Sequence, residues 1–169
     1  MNTSEVIRNR HSVRKYKKGV QIPRKDIETM LEAAMMAPSA FNTRPWEFAV
    51  VENPEIRKQI MEISPYTKML ETASLAIVVC ARPDLQEGRG SGFFPQDCGA
   101  AIENLLLQAT DLGYGTCWCG FYPVMERVEK LRDLLKVSSV PLAVIAVGEA
   151  DEEPKTRGFF DKERVTYIE

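Results

Sequence analysis

Apolar and polar residues follow two patterns along the chain, and each pattern predicts one kind of secondary structure. Short apolar runs are typical of buried strands, which we expect at 46–51, 75–81, 115–119 and 141–147. Apolar residues three and four positions apart predict amphipathic helices, at about 4–10, 23–37, 54–63, 66–72 and 123–135. Ser4 and Asn53 are predicted N-caps, and Pro23 is expected in the first turn of its helix. The mixture of strands and helices indicates an α+β or mixed α/β protein.

The longest predicted helix spans 97–112 and is apolar on nearly all of its sides. Such a helix lies inside a protein, and Gly113 is expected to end it. A single domain, 1–169, is small for surrounding this helix, so we expect a partner subunit to cover part of it. Residues 82–96 are rich in glycine and proline and predict a flexible span, a candidate lid. The alternating tail at 164–168 predicts an edge strand, in this subunit or another.

Composition excludes some classes of protein. The net charge of −2 argues against a nucleic-acid-binding protein, which is usually basic. No run reaches the roughly 20 apolar residues of a membrane helix, and Met1 to Arg14 lacks the apolar segment of a signal peptide, so we expect a cytoplasmic protein. Cys117 and Cys119 are separated by one residue, and no second pair or histidine cluster accompanies them, so a metal site is not expected. A disulfide is not expected either, because the cytoplasm is reducing.

A basic stretch near the N-terminus holds the single histidine. Side chains alternate along an extended backbone, which would place Arg10, Ser12 and Arg14 on one side. Two guanidinium groups beside a hydroxyl group suit a phosphate; the alternative is a solvated basic surface. Lys155 and Arg157 form a second basic pair, which a bound phosphate would bring together with the first.

Familiar catalytic patterns are missing. The glycines at 88, 90 and 92 do not continue into G-x-G-x-x-G, because Phe93 follows. Nucleophilic catalysis would depend on His11, whose protonation the neighbouring arginines disfavour. Two basic clusters with little acid–base machinery suit a protein whose chemistry belongs to a phosphate-bearing cofactor.

Three blocks of sequence run from Arg10 to Tyr16, from Ala37 to Trp46 and from Asp97 to Trp118. In content and order they resemble the nitroreductase family of FMN-dependent oxidoreductases. The resemblance implies an α+β nitroreductase-like fold, in which helices flank a central mixed or antiparallel sheet. It also implies an obligate homodimer with FMN at the subunit interface.

The resemblance implies a set of cofactor contacts as well. The phosphate and ribityl end of FMN would be held by Arg10, His11, Ser12 and Arg14, with Lys155 and Arg157 completing the phosphate clamp. The loop that reaches the flavin from the partner subunit would contain Pro38, Ser39, Ala40 and Asn42. Lys68 would place a cation at the N1/O2 edge of the flavin ring. The backbone of Cys119 and Gly120 would approach the ring near N5. The alternatives are a turn residue at Asn42, a surface lysine at 68, core positions for Trp46 and Trp118, and a helix cap at Asp97.

Two departures from the family pattern concern the substrate. Arg44 stands where the family usually has Gln, and the span from Arg82 to Gln96 is shorter than in larger members. Candidate walls of an open substrate pocket are Phe41, Phe93 and Phe94.

The activity implied by the resemblance is an FMN-dependent NAD(P)H oxidoreductase. NADH or NADPH would pass a hydride to flavin N5, and a nitroaromatic, quinone or related acceptor would then take its place in a ping-pong scheme. Two alternatives stay open: another flavin reaction on the same scaffold, such as dehalogenation, dehydrogenation or flavin breakdown, and a non-catalytic FMN-binding protein.

Overall fold

A four-stranded antiparallel sheet forms the centre of the computed structural model, which describes residues 1–155 and 158–169. The strands are β1 (Trp46–Val51), β2 (Leu75–Ala81), β3 (Gly115–Gly120) and β4 (Val140–Gly148). Their spatial order is β1-β2-β4-β3, and every pairing is antiparallel. The four predicted strands are confirmed, with ends that agree to within one residue.

Side chains of the central strands alternate between two apolar layers, as the pleat of a strand requires. In β2, Leu75, Ile77 and Val79 face one layer, whereas Ala76 and Val78 face the other. The first layer contains α2 (Arg24–Met35) and α4 (Phe94–Asp111), and the second contains α3 (Pro54–Ile63) and α5 (Met125–Leu135). Because helices cover both faces, every residue of β2 is buried, which explains its unbroken apolar sequence.

The helix starts follow the caps that the sequence provides, with two corrections. Asn2, rather than Ser4, caps α1 (Thr3–Asn9): its side chain accepts from the N–H of Glu5, whose carboxylate accepts from the N–H of Asn2. This reciprocal capping box satisfies two end amides, so Ser4 lies inside the helix. Pro23 precedes α2 as its cap instead of lying in its first turn. Asn53 caps α3 as predicted, accepting from two backbone N–H groups of the first turn.

Helix α4 begins at Phe94, so Asp97 lies in its first turn and is not its cap. The helix ends at a Schellman motif, in which Gly113 has a φ of +90° and the N–H of Tyr114 donates to Ala109 O at 2.8 Å. Most of its apolar side chains are buried within the chain, and Leu107 is only half-buried. The surface left for a partner is therefore narrower than the sequence pattern predicts.

Short 3₁₀ turns fill several connections. Pro65–Glu71 corresponds to the short helix predicted at 66–72, and Pro83–Leu85 and Gly88–Gly90 lie in the predicted flexible span. The C-terminal tail does not pair with a strand of its own chain. Instead, Asp161 caps a turn at Lys162–Arg164.

Candidate functional site

The basic stretch 10–16 runs extended beside the outer edge of β3. Ser12 bridges Thr116, and the N–H of Val13 donates to Thr116 O at 2.8 Å. Val13 is buried, whereas Ser12 and Arg14 are exposed. The strand edge therefore holds the backbone while alternate side chains face solvent, as predicted.

Tyr16 anchors the far end of this stretch in the core. Its hydroxyl donates to Val13 O at 2.7 Å, and a Cβ atom on Gly148 would come within 2.9 Å of its ring. Glycine at 148 is thus required for the tyrosine to pack so closely. Burial raises the pKa of Tyr16 well above its ordinary value, so its hydroxyl remains a donor at neutral pH.

A cavity of about 810 Å³ opens on the exposed side of the stretch. Its lining combines two parts of the chain that are far apart in sequence: residues within 7–14, and residues 152–155 together with Gly158. Five of the predicted phosphate contacts lie there: Arg10, His11, Ser12, Arg14 and Lys155. Arg157, the sixth predicted contact, lies outside the described residues.

Carboxylates connect the two parts of this cavity. Oε1 of Glu152 accepts from the backbone N–H groups of Arg14 and Lys15, at 2.5 and 3.2 Å. Asp151 forms an ion pair with Lys15 at 3.0 Å. Sequence reasoning did not identify Glu152 as this link. Its proximity to the basic stretch depends on a tertiary contact that no sequence spacing reveals.

Two of the basic side chains have further partners. Nε of Arg10 lies 3.4 Å from Oε1 of Glu103 in α4. His11 contacts Asn9 O through Nδ1 at 2.6 Å. These contacts orient the residues at the cavity edge, and Arg14 donates only weakly to Ser12 O, at 3.3 Å.

The second predicted site element, the loop 38–45, adopts a strained conformation. Phe41, Asn42 and Arg44 have φ values of 54°, 55° and 50°, a left-handed region that costs a non-glycine residue about 1 kcal/mol. Ser39 Oγ accepts from the N–H of Arg44 at 2.9 Å, and Asn42 Oδ1 accepts from Nε of Arg44 at 3.1 Å. None of these residues lines the basic cavity of the same chain.

The other predicted flavin contacts also lie away from that cavity. Lys68 is exposed on the 3₁₀ turn before β2, and Gly120 is exposed at the end of β3. Cys119 is buried, and its thiol donates to Tyr66 O at 3.2 Å.

The predicted aromatic residues differ in exposure. Phe41 is 71% exposed and Phe93 is 41% exposed, whereas Phe94 packs edge-on against Tyr122. Trp46 is in the core as expected, but Trp118 is 40% exposed because it lies on the opposite face of β3 from the two cysteines.

Cys117 and Cys119 lie on the same face of β3, two positions apart. When Cys117 ionises, the thiol of Cys119 can turn from Tyr66 O and donate to the thiolate, which lowers the pKa of Cys117 to about 7; burial opposes this shift, and the charge of Arg14 adds to it. The same hydrogen bond, together with burial, raises the pKa of Cys119. The pair thus favours a single thiolate, on Cys117.

Among residues 1–155 and 158–169, no cluster of His, Cys, Asp and Glu could hold a metal ion. No helix in those ranges is long and apolar enough to cross a membrane.

An antiparallel sheet lies between two helical layers and a basic cavity opens at one edge, so the chain is an α+β protein. Comparison with known proteins identifies the family. The model of the nitroreductase family matches residues 7–65 and 62–149. The chain therefore belongs to the nitroreductase family.

Individual relatives that align with nearly the whole of this chain support this assignment. A protein of Methanothermobacter thermautotrophicus, named "Putative NADH dehydrogenase/NAD(P)H nitroreductase", is 41% identical over 98% of this chain and 86% of its own. A crystal structure of a protein of the same name from Parabacteroides distasonis superposes with a TM-score of 0.92, at 34% identity, covering 99% and 98% of the two chains. The FMN-dependent nitroreductase of Clostridium difficile has a TM-score of 0.86 at 30% identity, covering 97% and 98%.

Proposed function

We propose that the chain is an FMN-dependent NAD(P)H oxidoreductase of the nitroreductase type. The basic cavity carries this proposal, because Arg10, Ser12, Arg14 and Lys155 come together there from distant parts of the sequence. Two relatives support it by name: the Methanothermobacter thermautotrophicus protein is named for NAD(P)H, and the Clostridium difficile nitroreductase is described as FMN-dependent.

The donors at the cavity suit the phosphate of FMN. A phosphate monoester carries close to two negative charges near neutral pH, and it is bound best by guanidinium and ammonium groups that form charge-assisted hydrogen bonds. Arg10, Arg14 and Lys155 supply these charges, and Ser12 adds a hydroxyl. The cavity volume of about 810 Å³ leaves room for more of the cofactor than its phosphate.

FMN, when bound, would supply the redox chemistry, namely hydride transfer from NADH or NADPH and reduction of a nitroaromatic, a quinone or a related acceptor in a ping-pong sequence. The chain contributes binding and orientation. Arg10, Arg14 and Lys155 would hold the phosphate, Lys68 would add positive charge at the flavin edge, and the backbone at Gly120 would approach the ring.

The proposed FMN site requires a second copy of the chain. The loop 38–45 does not line the basic cavity of its own chain, so its role at the flavin requires a partner's cavity. Several large apolar side chains are also exposed on the single chain, among them Met36 at 76% and Ile168 at 94%, and a second copy would cover part of this surface. We therefore propose a homodimer with FMN between the subunits.

An absorption spectrum of the purified protein tests the cofactor and the reductant together. The spectrum is recorded without added flavin, then with FMN, and then after anaerobic addition of NADH or NADPH. We expect a flavin spectrum that bleaches with the nicotinamide. A protein that takes up no FMN would contradict the proposal, and FMN that neither nicotinamide reduces would leave a flavin-binding protein without this activity.

Sedimentation velocity at micromolar concentration tests the dimer. The expected species has twice the mass of the chain and carries flavin absorbance. A monomer that carries FMN would show that the cavity works without a partner, and the assignment of the loop 38–45 would then be wrong.

A further inference from the structure

Asp97 and Gln86 are buried polar residues to which the function proposed above gives no role. Both carboxylate oxygens of Asp97 lie 3.2 Å from the backbone N–H of Ala40. Oδ2 of Asp97 also accepts from Nε2 of Gln86 at 2.6 Å, and the same nitrogen donates to Oγ1 of Thr43 at 3.2 Å. Asp97 is 7% exposed and Gln86 is 3% exposed. The pair therefore fastens the loop 38–45 at two points, Ala40 and Thr43.

The environment of Asp97 suits a carboxylate that is held by uncharged groups. Its hydrogen-bond partners, Ala40 and Gln86, are both neutral donors. Asp97 also lies in the first turn of α4, where the aligned peptide dipoles favour negative charge. An apolar pair would fill the same space, but it would not supply hydrogen bonds whose direction fixes the loop.

The loop needs such restraints because its conformation is strained. Phe41 and Asn42, between the two fastened residues, both have left-handed backbone angles. Residues with a strained backbone keep that conformation only where several independent contacts restrain it. Here Thr43 also donates from its hydroxyl to Ala40 O at 3.0 Å, which closes the turn from inside.

The same pair connects the loop to the segment that contains Phe93. Gln86 lies at the start of this segment, and Gly90 lies against the ring of Phe41, where an added Cβ atom would be 3.3 Å from Cδ2. One buried hydrogen-bonded pair thus determines the relative position of the loop and of the segment 86–93.

We infer that Asp97 and Gln86 are positioning residues, which hold the loop 38–45 in the conformation that contacts the flavin and hold Phe41 beside the acceptor. This inference rests on the function proposed above. The two residues act through the loop and do not themselves contact the cofactor.

Hydrogen–deuterium exchange of the flavin-free protein tests the positioning directly. Loss of one such hydrogen bond is expected to speed exchange in the peptide that covers 38–45 by about tenfold or more, in Asp97→Ala and in Gln86→Met. Asp97→Asn retains an oxygen that accepts from the N–H of Ala40, and its new amide nitrogen can donate to Oε1 of Gln86 when the Gln86 amide turns over, so its exchange should remain near that of the wild type. Unchanged exchange in both Asp97→Ala and Gln86→Met would overturn the inference.

FMN titration and steady-state kinetics test the consequence for function. Asp97→Ala and Gln86→Met should raise the Kd for FMN about tenfold and raise the KM for a nitroaromatic acceptor at saturating FMN, and Asp97→Asn should restore most of both. Tyr114→Phe is the control, because it removes a 2.6 Å hydrogen bond to Asp26 outside the loop. Equal losses in Tyr114→Phe would contradict positioning and indicate general destabilisation.

Failure of the proposed function gives a different result. A wild-type protein that binds no FMN would refute the function while the exchange experiment still decided whether the pair holds the loop. If Asp97→Ala does not fold, Gln86→Met carries both measurements, because methionine matches glutamine in length and leaves no unpaired buried amide.

Discussion

A Cβ atom on Gly115 would lie 2.8 Å from Cγ2 of Val13 and 2.9 Å from its Cβ. Val13 is the buried residue between Ser12 and Arg14, and its N–H donates to the carbonyl of Thr116. The missing side chain at 115 therefore permits the basic stretch to lie directly against β3. A backbone contact in the core thus positions the phosphate donors on the surface.

Gly115→Ala should destabilise the protein and weaken FMN binding together. Overpacking at a buried contact typically costs about 1–3 kcal/mol, and outward movement of Val13 would displace Ser12 and Arg14. Urea unfolding and FMN titration measure the two effects. Gly99→Ala is the control, because its Cβ would meet only Trp118 at 3.7 Å, and alanine within a helix is about 1 kcal/mol more favourable than glycine. A stable Gly115→Ala with normal FMN affinity would contradict this explanation.

The sequence predicts the sheet well because its signals are local. Each strand is bounded by residues that end it, and β2 is apolar throughout because helices cover both faces. The predicted helix starts were less accurate where two neighbouring residues could each act as the N-cap. Asn2 and Ser4 are both good caps, and only Asn2 has a glutamate three residues later that completes the capping box.

The residues of the candidate site also fall into those that the sequence predicts and those that it does not. Arg10, Ser12 and Arg14 follow from the alternation of an extended chain, and Lys155 from a second basic pair. The link through Glu152 and the pair of Asp97 and Gln86 could not be predicted, because each joins residues whose proximity depends on tertiary packing. In the sequence, Asp97 is an ordinary residue of the first turn of a helix. Only the folded structure shows that it contacts the loop 38–45.

Arg10→Ala should weaken FMN binding by about 1–3 kcal/mol, the usual contribution of a charge-assisted hydrogen bond. The loss should be smaller at high salt, because screening reduces the contribution of an exposed charge. Isothermal titration with FMN at two salt concentrations provides the measurement. Arg24→Ala is the matched control, since this arginine pairs with Glu52 outside the cavity lining. Equal affinities for Arg10→Ala and the wild type at low salt would remove Arg10 from the phosphate site.

Tyr16 should make the folded protein sensitive to alkali. Burial raises its pKa in the folded state above the unfolded value of about 10, so above that pH the unfolded state loses the proton first. The contribution of Tyr16 to the free energy of unfolding is complete below pH 10 and then falls by up to about 1.4 kcal/mol per pH unit. Urea unfolding of the wild type and of Tyr16→Phe from pH 8 to pH 11 measures it. The advantage of the wild type should shrink above pH 10, and a constant difference would contradict this.

The two thiols of β3 should release one proton near neutral pH. The hydrogen bond from Cys119 stabilises a thiolate on Cys117 and lowers its pKa to about 7, whereas an ordinary cysteine titrates near 8.5. Thiolate absorbance near 240 nm, recorded on the flavin-free protein, should therefore rise between pH 6 and pH 8 by the amount of one thiolate. Cys117→Ala should abolish this rise, and Cys119→Ala should shift it to higher pH because the donor is lost.

Cys80, whose pKa burial raises to about 11, should not contribute in this range. A rise that persists in Cys117→Ala would assign the low pKa to another group, and a wild type without any rise below pH 8 would mean that burial outweighs the hydrogen bond.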